Sequence, residues 1–102
     1  MKKIVGIDHI AIEVSNLKVA TEFLKDLGLQ IELDLGAEIF FKVGNQKLAL
    51  FQAKNTTQTI NHIALRVENF KGIKKELEKK GYTIYKGDMI NGPDGIRIQL
   101  IE

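Results

Sequence analysis

Ile60-Asn61-His62-Ile63-Ala64-Leu65-Arg66-Val67-Glu68-Asn69 repeats an earlier stretch of the chain, Ile7-Asp8-His9-Ile10-Ala11-Ile12-Glu13-Val14-Ser15-Asn16. The two stretches lie 53 positions apart and share Ile, His, Ile, Ala, Val and Asn in register. They also contain both histidines of the protein. The duplication predicts two copies of one structural unit. A functional interpretation has to explain why both histidines occupy the same position in it.

The composition indicates a small globular protein with no sign of nucleic-acid binding. The chain has 102 residues, the size of one compact domain, and a formal net charge of +2 with lysines and acids interspersed. Its basic cluster, Lys71–Lys80, also contains acids and apolar positions and predicts a solvated helix face. No apolar run approaches the ~20 residues that span a bilayer, and Met1–Gly6 is too short and too soon polar for a signal peptide.

Cysteine is absent from the chain. This excludes disulfides, thiolate metal sites and cysteine nucleophiles. A chain that needs no disulfide is compatible with a reducing compartment. We therefore expect a cytoplasmic protein with neither nucleic acid nor membrane among its partners.

The first half of the chain predicts a strand, a helix and three further strands. In Ile7–Val14 the apolar residues alternate with polar ones, so a strand would place His9 on the face opposite the apolar set. Ser15-Asn16 supplies N-cap chemistry for a helix that begins at Leu17 and ends at Gly28, which suits a left-handed C-cap. Further strands are predicted at Leu29–Leu35, Glu38–Val43 and Lys47–Gln52.

The second half repeats this order. Asn69 takes the place of the first helix cap, and Gly81 lies 53 positions after Gly28. Strands are predicted at Ile60–Val67, Tyr82–Lys86, Met89–Asn91 and Ile96–Ile101, with a turn at Gly92–Gly95. The predicted fold class is α+β, with two tandem βαβββ modules forming curved mixed sheets with a cupped pocket. We expect one domain over residues 1–102, with module one at 4–52, a linker at 53–59 and module two at 60–102.

The order, spacing and duplication of these motifs resemble the vicinal-oxygen-chelate superfamily of glyoxalases, bleomycin-resistance proteins and extradiol dioxygenases. The matching segments are His-Ile-Ala-Ile-Glu-Val at 9–14, Asn-Leu at 16–17, Phe23 with Leu-Gly-Leu at 27–29, Asn-His-Ile-Ala-Leu-Arg-Val at 61–67 and Pro-Asp-Gly at 93–95. The resemblance covers essentially the whole chain. It implies a glyoxalase-like domain whose paired modules form a cupped sheet, often in a homodimer with sites between modules.

The resemblance also implies a metal site with one ligand from the first and the last strand of each module. These positions match His9, Ala49, His62 and Gln99. Alanine cannot coordinate, so the candidate ligands are His9, His62 and Gln99, none of them a carboxylate. Two imidazoles and an oxygen donor suit a divalent Zn, Ni, Mn or Fe ion. The alternative is that duplication passed on both histidines and that they line a pocket without metal.

Other residues of the predicted pocket are candidate contacts for a small-molecule ligand. Arg66 and Arg97 could bind a carboxylate or phosphate in bidentate fashion. The alternative is that they pair with Glu13 or reach solvent. The aromatic and small candidates are Phe40, Phe41, Phe51, Tyr85 and Ala49. Ordinary core packing would explain at least half of the aromatic residues, whereas the small Ala49 would leave room for a larger ligand.

Three functions stay open on the sequence alone. The first is a metal-dependent lyase, isomerase, transferase or dioxygenase acting on a small oxygenated substrate, with the metal as a Lewis acid. The second is a metal-free dimer that binds a ligand or an antibiotic without catalysis. A stand-alone structural module is a third reading of the same fold. Metal analysis of the protein and of its histidine variants separates the first two.

Overall fold

The computed structural model describes residues 7–54 and 60–102. The predicted start of module one at residue 4 and residues 55–59 of the predicted linker lie outside these ranges. The first module consists of β1 (His9–Val14), α1 (Leu17–Asp26), β2 (Gln30–Asp34), β3 (Glu38–Val43) and β4 (Gln46–Gln52). The second consists of β5 (Ile63–Arg66), α2 (Phe70–Lys79), β6 (Ile84–Tyr85), β7 (Met89–Asn91) and β8 (Arg97–Ile101), with a 3-10 turn at Pro93–Gly95.

Each module forms a four-stranded mixed sheet, and the two sheets have the same connectivity. The strand orders are β1-β4-β3-β2 and β5-β8-β7-β6. The first and last strands of each module run parallel, and the other neighbours run antiparallel. Ala11 pairs with Ala49 in the first sheet, and Ala64 pairs with Gln99 in the second. The α+β prediction of two βαβββ modules is confirmed, and Ala49 and Gln99 are equivalent positions of the repeat.

The helices begin and end at the residues that the repeat predicts. The Asn16 and Asn69 side chains each accept a hydrogen bond from the backbone N–H three residues further on, at 3.1 and 3.2 Å. Each helix is followed by a left-handed glycine, with φ of 94° at Gly28 and 96° at Gly81, where a side chain would be strained. No helix in the described part of the chain is long and apolar enough to cross a membrane.

Two strands of the second module are shorter than predicted. The pairing of β5 with β8 begins at Ile63 and ends at Arg66, so residues 60–62 and Val67 of the predicted strand lie outside β5. β6 has two residues, because Lys86 and Gly87 take left-handed φ values of 51° and 85° and turn the chain back into β7. The second sheet is therefore the smaller one.

One hydrophobic core joins the modules on the helix-facing side of both sheets. Ile12 and Val14 enter it from β1, and Ile98 and Leu100 enter it from β8, each at most 3% exposed. Its buried members are Ile12, Val14, Ala20, Phe23, Leu24, Ile39, Phe41, Leu48, Leu50, Leu77, Ile90, Ile96, Ile98 and Leu100. Burial of this apolar surface, shared by both modules, is the main stabilising contribution.

The opposite faces of the two sheets, here named the cup faces, are open in the single chain. His9, Ala11 and Glu13 of β1 are exposed there, and so are Ala64 and Arg66 of β5. This alternation is the one that the sequence predicts. The candidate ligand His9 therefore lies on the side of its sheet that the helices do not cover.

A polar joint ties the modules together on the helix side. The Phe23 and Tyr82 rings pack with centroids 5.8 Å apart, and the Tyr82 hydroxyl donates to Asp26 Oδ2 at 2.7 Å. The backbone N–H and the hydroxyl of Ser15 both donate to the Asp94 carboxylate. Contacts across the repeat therefore fix one module against the other.

Candidate metal and ligand site

His9, the first residue of β1, lies on the cup face with its ring held from two sides. Its Nδ1 donates to Asp8 Oδ2 at 2.9 Å, and the ring meets Phe40 edge-on with centroids 5.4 Å apart. The hydrogen bond from His9 and the positive charge of Lys47 hold the pKa of Asp8 below its usual range. A carboxylate only accepts hydrogen bonds, so Nδ1 carries a proton and neutral His9 has its lone pair on Nε2.

His62 repeats this arrangement just before β5. Its Nδ1 lies 2.8 Å from Asn61 Oδ1, and an amide oxygen only accepts hydrogen bonds. Neutral His62 therefore also has its lone pair on Nε2, the atom that metals and protons use. Asp8 and Asn61 occupy equivalent positions of the repeat, and each accepts a hydrogen bond from the histidine that follows it. This equivalence is the sequence signal that could have indicated their role.

Gln99, the third candidate ligand, lies on β8 with a charged neighbour that sequence reasoning missed. Its amide Nε2 donates to Asp88 Oδ2 at 3.0 Å, and the contact is half-buried. Asp88 precedes β7, which pairs with β8 so that Met89 faces Gln99. Asp88 and Gln99 lie 11 positions apart on separate elements, so neither strand alternation nor a cap signal in the sequence indicates this contact.

The three donors suit a divalent ion chemically, but one chain divides them between two modules. His9 belongs to the first sheet, Gln99 belongs to the second, and His62 lies just before β5 of the second module. His62 lines a narrow crevice with Arg97 and four isoleucines, and neither His9 nor Gln99 is among its lining residues. Within residues 7–54 and 60–102, no group of three or more His, Cys, Asp or Glu side chains could hold a metal. The guanidinium beside His62 also opposes a second positive charge there.

The predicted aromatic contacts divide between the cup face and the core. Phe41 has no exposed surface and lies in the core, whereas its neighbour Phe40 is half-buried against His9. This differs from the expectation that Phe41 lines the pocket, because strand parity turns Phe41 towards the helix. Phe51 is 43% exposed, and the half-buried Tyr85 donates its hydroxyl to Asn91 Oδ1 at 2.7 Å.

Ala49 does not open a cavity in the described structure. It is fully buried between its strand partners Ala11 and Phe40. This differs from the expectation that Ala49 leaves room for a larger ligand, because its side chain has no exposed surface.

The two arginines are placed differently. Arg66 Nη1 donates to the backbone carbonyl of Glu102 at 3.2 Å, and its side chain is exposed at the end of β5. Arg97, at the start of β8, is exposed and lines the crevice with His62. Arg97 is therefore the arginine that lies beside a candidate ligand. Arg66 borders a separate groove of about 410 Å³ between β4 and β5, which Lys47 also lines.

The two-module architecture agrees with the family to which the sequence is similar. The sequence model of the Glyoxalase/Bleomycin resistance protein/Dioxygenase superfamily matches residues 8–99. The chain therefore belongs to this superfamily, as the repeated strand predicted. The metallothiol transferase FosB of Shouchella clausii (strain KSM-K16) is 29% identical over 113 residues, which cover 88% of this chain and 75% of that protein.

Solved structures share the fold. A possible glyoxalase from Bacillus cereus has a TM-score of 0.80 at 21% identity, covering 97% of this chain and 100% of that one. The genomically encoded fosfomycin resistance protein FosX from Listeria monocytogenes has a TM-score of 0.80 at 19% identity, covering 97% and 91%. At these identities the similarity shows the two-module architecture alone.

Proposed function

We propose that this protein is a metal-dependent enzyme of the superfamily that acts on a small, oxygenated, anionic molecule. His9, His62 and Gln99 would hold the divalent ion. One observation carries the proposal: both repeat-equivalent histidines donate from Nδ1 to an oxygen of the preceding residue, which leaves the lone pair of each neutral ring on Nε2. Neighbours that fix a ring in this way are typical of metal-binding histidines.

The chain itself would bind and orient the substrate. A bound divalent ion would supply Lewis-acid stabilisation of negative charge on substrate oxygens. Arg97, beside His62, would bind an anionic group of the substrate through its guanidinium. Among the reaction classes of the superfamily, group transfer is the one we propose, and the likeness to a metallothiol transferase supports it.

The working form that we propose is a homodimer. The cup faces carry exposed apolar side chains as well as the candidate ligands, including Phe51 at 43% and Ile101 at 37% exposure. A second copy facing these surfaces would bury them and would bring His9 of one chain to His62 and Gln99 of the other. A cytoplasmic location stays a prediction from the cysteine-free composition.

A metal-free ligand-binding protein is the second candidate, and one observation favours it. The proposed ligands carry no negative charge, while Arg97 adds a positive one beside His62. In that case the two histidines and Arg97 would bind an anionic ligand directly. The metal experiment below separates the two candidates.

The test is metal binding by purified protein and by two single-histidine variants. Titration with Zn, Ni, Mn and Fe ions should give stoichiometric binding to the wild type, and His9→Ala and His62→Ala should each abolish it. Lys18→Ala, an exposed change on α1, is the control and should bind as the wild type does. If the wild type takes up none of the four ions, the enzyme proposal fails and the metal-free candidate replaces it.

Mixing the two variants tests where the ligands come from. If each site takes His9 from one chain and His62 from the other, a mixed dimer regains one intact site. Random exchange of subunits would then restore about a quarter of the wild-type metal per chain, by the two-fold symmetry of a dimer. No recovery after verified exchange would mean that each chain builds its site alone.

A further inference from the structure

The surroundings of Gln99 contain a feature that the proposed ligand set does not explain. Ile98 and Leu100 on either side of it are buried in the core, so Gln99 faces away from the helices. Its strand partners are Ala64 on one side and Met89 on the other. No carboxylate belongs to β8 itself, but Asp88 reaches Gln99 from the neighbouring turn.

A backbone hydrogen bond holds Asp88 in place. Its backbone carbonyl accepts a hydrogen bond from the Leu100 N–H at 2.9 Å, which holds the turn against β8. Its Oδ2 then lies 3.0 Å from Gln99 Nε2. A carboxylate accepts and an amide nitrogen donates, so this contact fixes which end of the Gln99 amide faces Asp88. The amide oxygen Oε1 is turned away from Asp88 and keeps its lone pairs.

The contact supplies charge as well as orientation. His9, His62 and Gln99 are neutral ligands, and a divalent ion among them would lack compensation. Asp88 places a negative charge one hydrogen bond behind the Gln99 oxygen donor, and it polarises the amide so that Oε1 becomes a better donor. Asp8 stands behind His9 in the same way, at 2.9 Å.

We propose that Asp88 is a positioning residue that presents Gln99 Oε1 to the divalent ion and supplies the negative charge that the ligand set lacks. This inference rests on the proposed function. It is a statement about Asp88 in particular, since His9, His62 and Gln99 would form the same ligand set without it.

The test moves the carboxylate from one partner to the other. Asp88→Asn removes the charge and lets the Gln99 amide turn, so affinity for the ion bound by the wild type should fall by about 10- to 100-fold, as for other residues behind metal ligands. In D88N/Q99E the hydrogen bond is restored with the carboxylate at position 99, and affinity should return to the wild-type level or exceed it. Glu78→Gln removes an equal charge on α2, on the helix side, and is the control.

A measurement without metal checks the hydrogen bond itself. In the metal-free wild type, the Gln99 side-chain amide protons should have NMR shifts and slowed exchange typical of a bonded amide. Asp88→Ala should move both towards free-amide values, and Glu78→Gln should not. Circular dichroism and thermal unfolding establish that each variant is folded.

The outcomes separate this inference from the proposed function. Binding by Asp88→Asn equal to the wild type overturns the inference and leaves the enzyme proposal standing. Weak binding by Asp88→Asn without recovery in D88N/Q99E assigns Asp88 a structural role and also overturns it. Gln99 amide signals that ignore Asp88→Ala overturn it as well. A wild type that binds no metal overturns both proposals.

Discussion

The two modules share one connectivity but differ in strand length and in the residue at the equivalent last-strand position. The first sheet has strands of five to seven residues, whereas the second has strands of two to five. The signals that set helix ends are the same in both, namely an asparagine cap and a left-handed glycine. At the equivalent last-strand position the first module has the buried Ala49 and the second has Gln99. The second module, with the smaller sheet, contributes two of the three proposed ligands.

The same asymmetry appears around the two histidines. His9 donates to the carboxylate of Asp8, whereas His62 donates to the neutral amide of Asn61. Phe40 also packs on His9. Repeat-equivalent residues thus have one geometry but different charge.

The largest expected effect concerns whether the two modules unfold independently of each other. Phe41 in β3 and Ile90 in β7 occupy equivalent places in the core, and both have no exposed surface. Phe41→Ala should lower the free energy of unfolding by about 3–5 kcal/mol and Ile90→Ala by about 2–5 kcal/mol. Because one core spans both modules, each variant should still unfold in a single transition.

Chemical denaturation followed by two probes measures this. Far-UV circular dichroism and fluorescence of the tyrosines should give coincident curves for both variants. Val19→Ala, at a 49% exposed position on α1, is the control and should cost much less than Phe41→Ala. Two separated transitions in Ile90→Ala would show that the second module unfolds alone and would contradict a shared core.

The second prediction equalises the two histidine environments. Asp8→Asn would leave His9 with an amide partner, as His62 has, and remove the charge behind it. On the proposed function, metal affinity should fall by about 10-fold, the lower end for a residue behind a ligand, because Asp8 is exposed. Asn61→Asp should shift affinity in the opposite direction. Isothermal titration at one pH and ionic strength measures both, and equal affinities throughout would show that these neighbours do not influence binding.

The third prediction uses the helix caps, which are alike in bonding but not in backbone. Asn16 is extended, with φ of −137°, whereas Asn69 is left-handed, with φ of 55°. Replacement of either by alanine removes a cap and should cost about 1 kcal/mol. Asn69→Ala should cost about 1 kcal/mol more, because alanine is strained in the left-handed region.

Glycine variants at the same positions separate the two causes. Glycine adopts positive φ without strain, so Asn16→Gly and Asn69→Gly should have similar and smaller costs. Urea denaturation of the four variants gives the required differences in unfolding free energy. If Asn69→Gly is as destabilising as Asn69→Ala, backbone strain is not the reason for the difference between the caps.

The repeat and the helix ends could be predicted from the sequence because their signals are local. Alternation placed His9 on the open face, and the cap residues gave α1 its first residue, Leu17. Which of Phe40 and Phe41 faces the core could not be predicted from such a signal. Both residues are apolar, so either could face the core, and the register against β4 decides it.

Contacts between distant residues were beyond the sequence for a different reason. The bond between Ser15 and Asp94 spans 79 positions and depends on a left-handed φ of 58° at Asp94. The bond between Asp88 and Gln99 depends on the two-residue length of β6, which was predicted to be longer. Each bond joins side chains of separate elements, so neither strand alternation nor a cap signal indicates it.

The smallest expected effect concerns the joint between the modules. Burial raises the pKa of Tyr82 to about 12, with further contributions from its hydrogen bond to Asp26 and from the negative charges of Asp26 and Glu22. A folded-state pKa above the unfolded value of 10.0 means that this stabilisation is fully present below pH 10 and is lost as the pH rises towards 12. Tyr82→Phe should be less stable than the wild type by about 1 kcal/mol at pH 8, through the lost hydrogen bond. The difference in unfolding free energy between the two proteins should narrow above pH 10.

Denaturation curves of both proteins between pH 8 and 11 measure this difference, and the titration of lysines common to both cancels in it. Tyr85→Phe leaves the contact between Tyr82 and Asp26 intact. Its free energy of unfolding should therefore fall over this pH range as that of the wild type does. Parallel curves for wild type and Tyr82→Phe would mean that the Tyr82 hydroxyl does not couple the modules to pH.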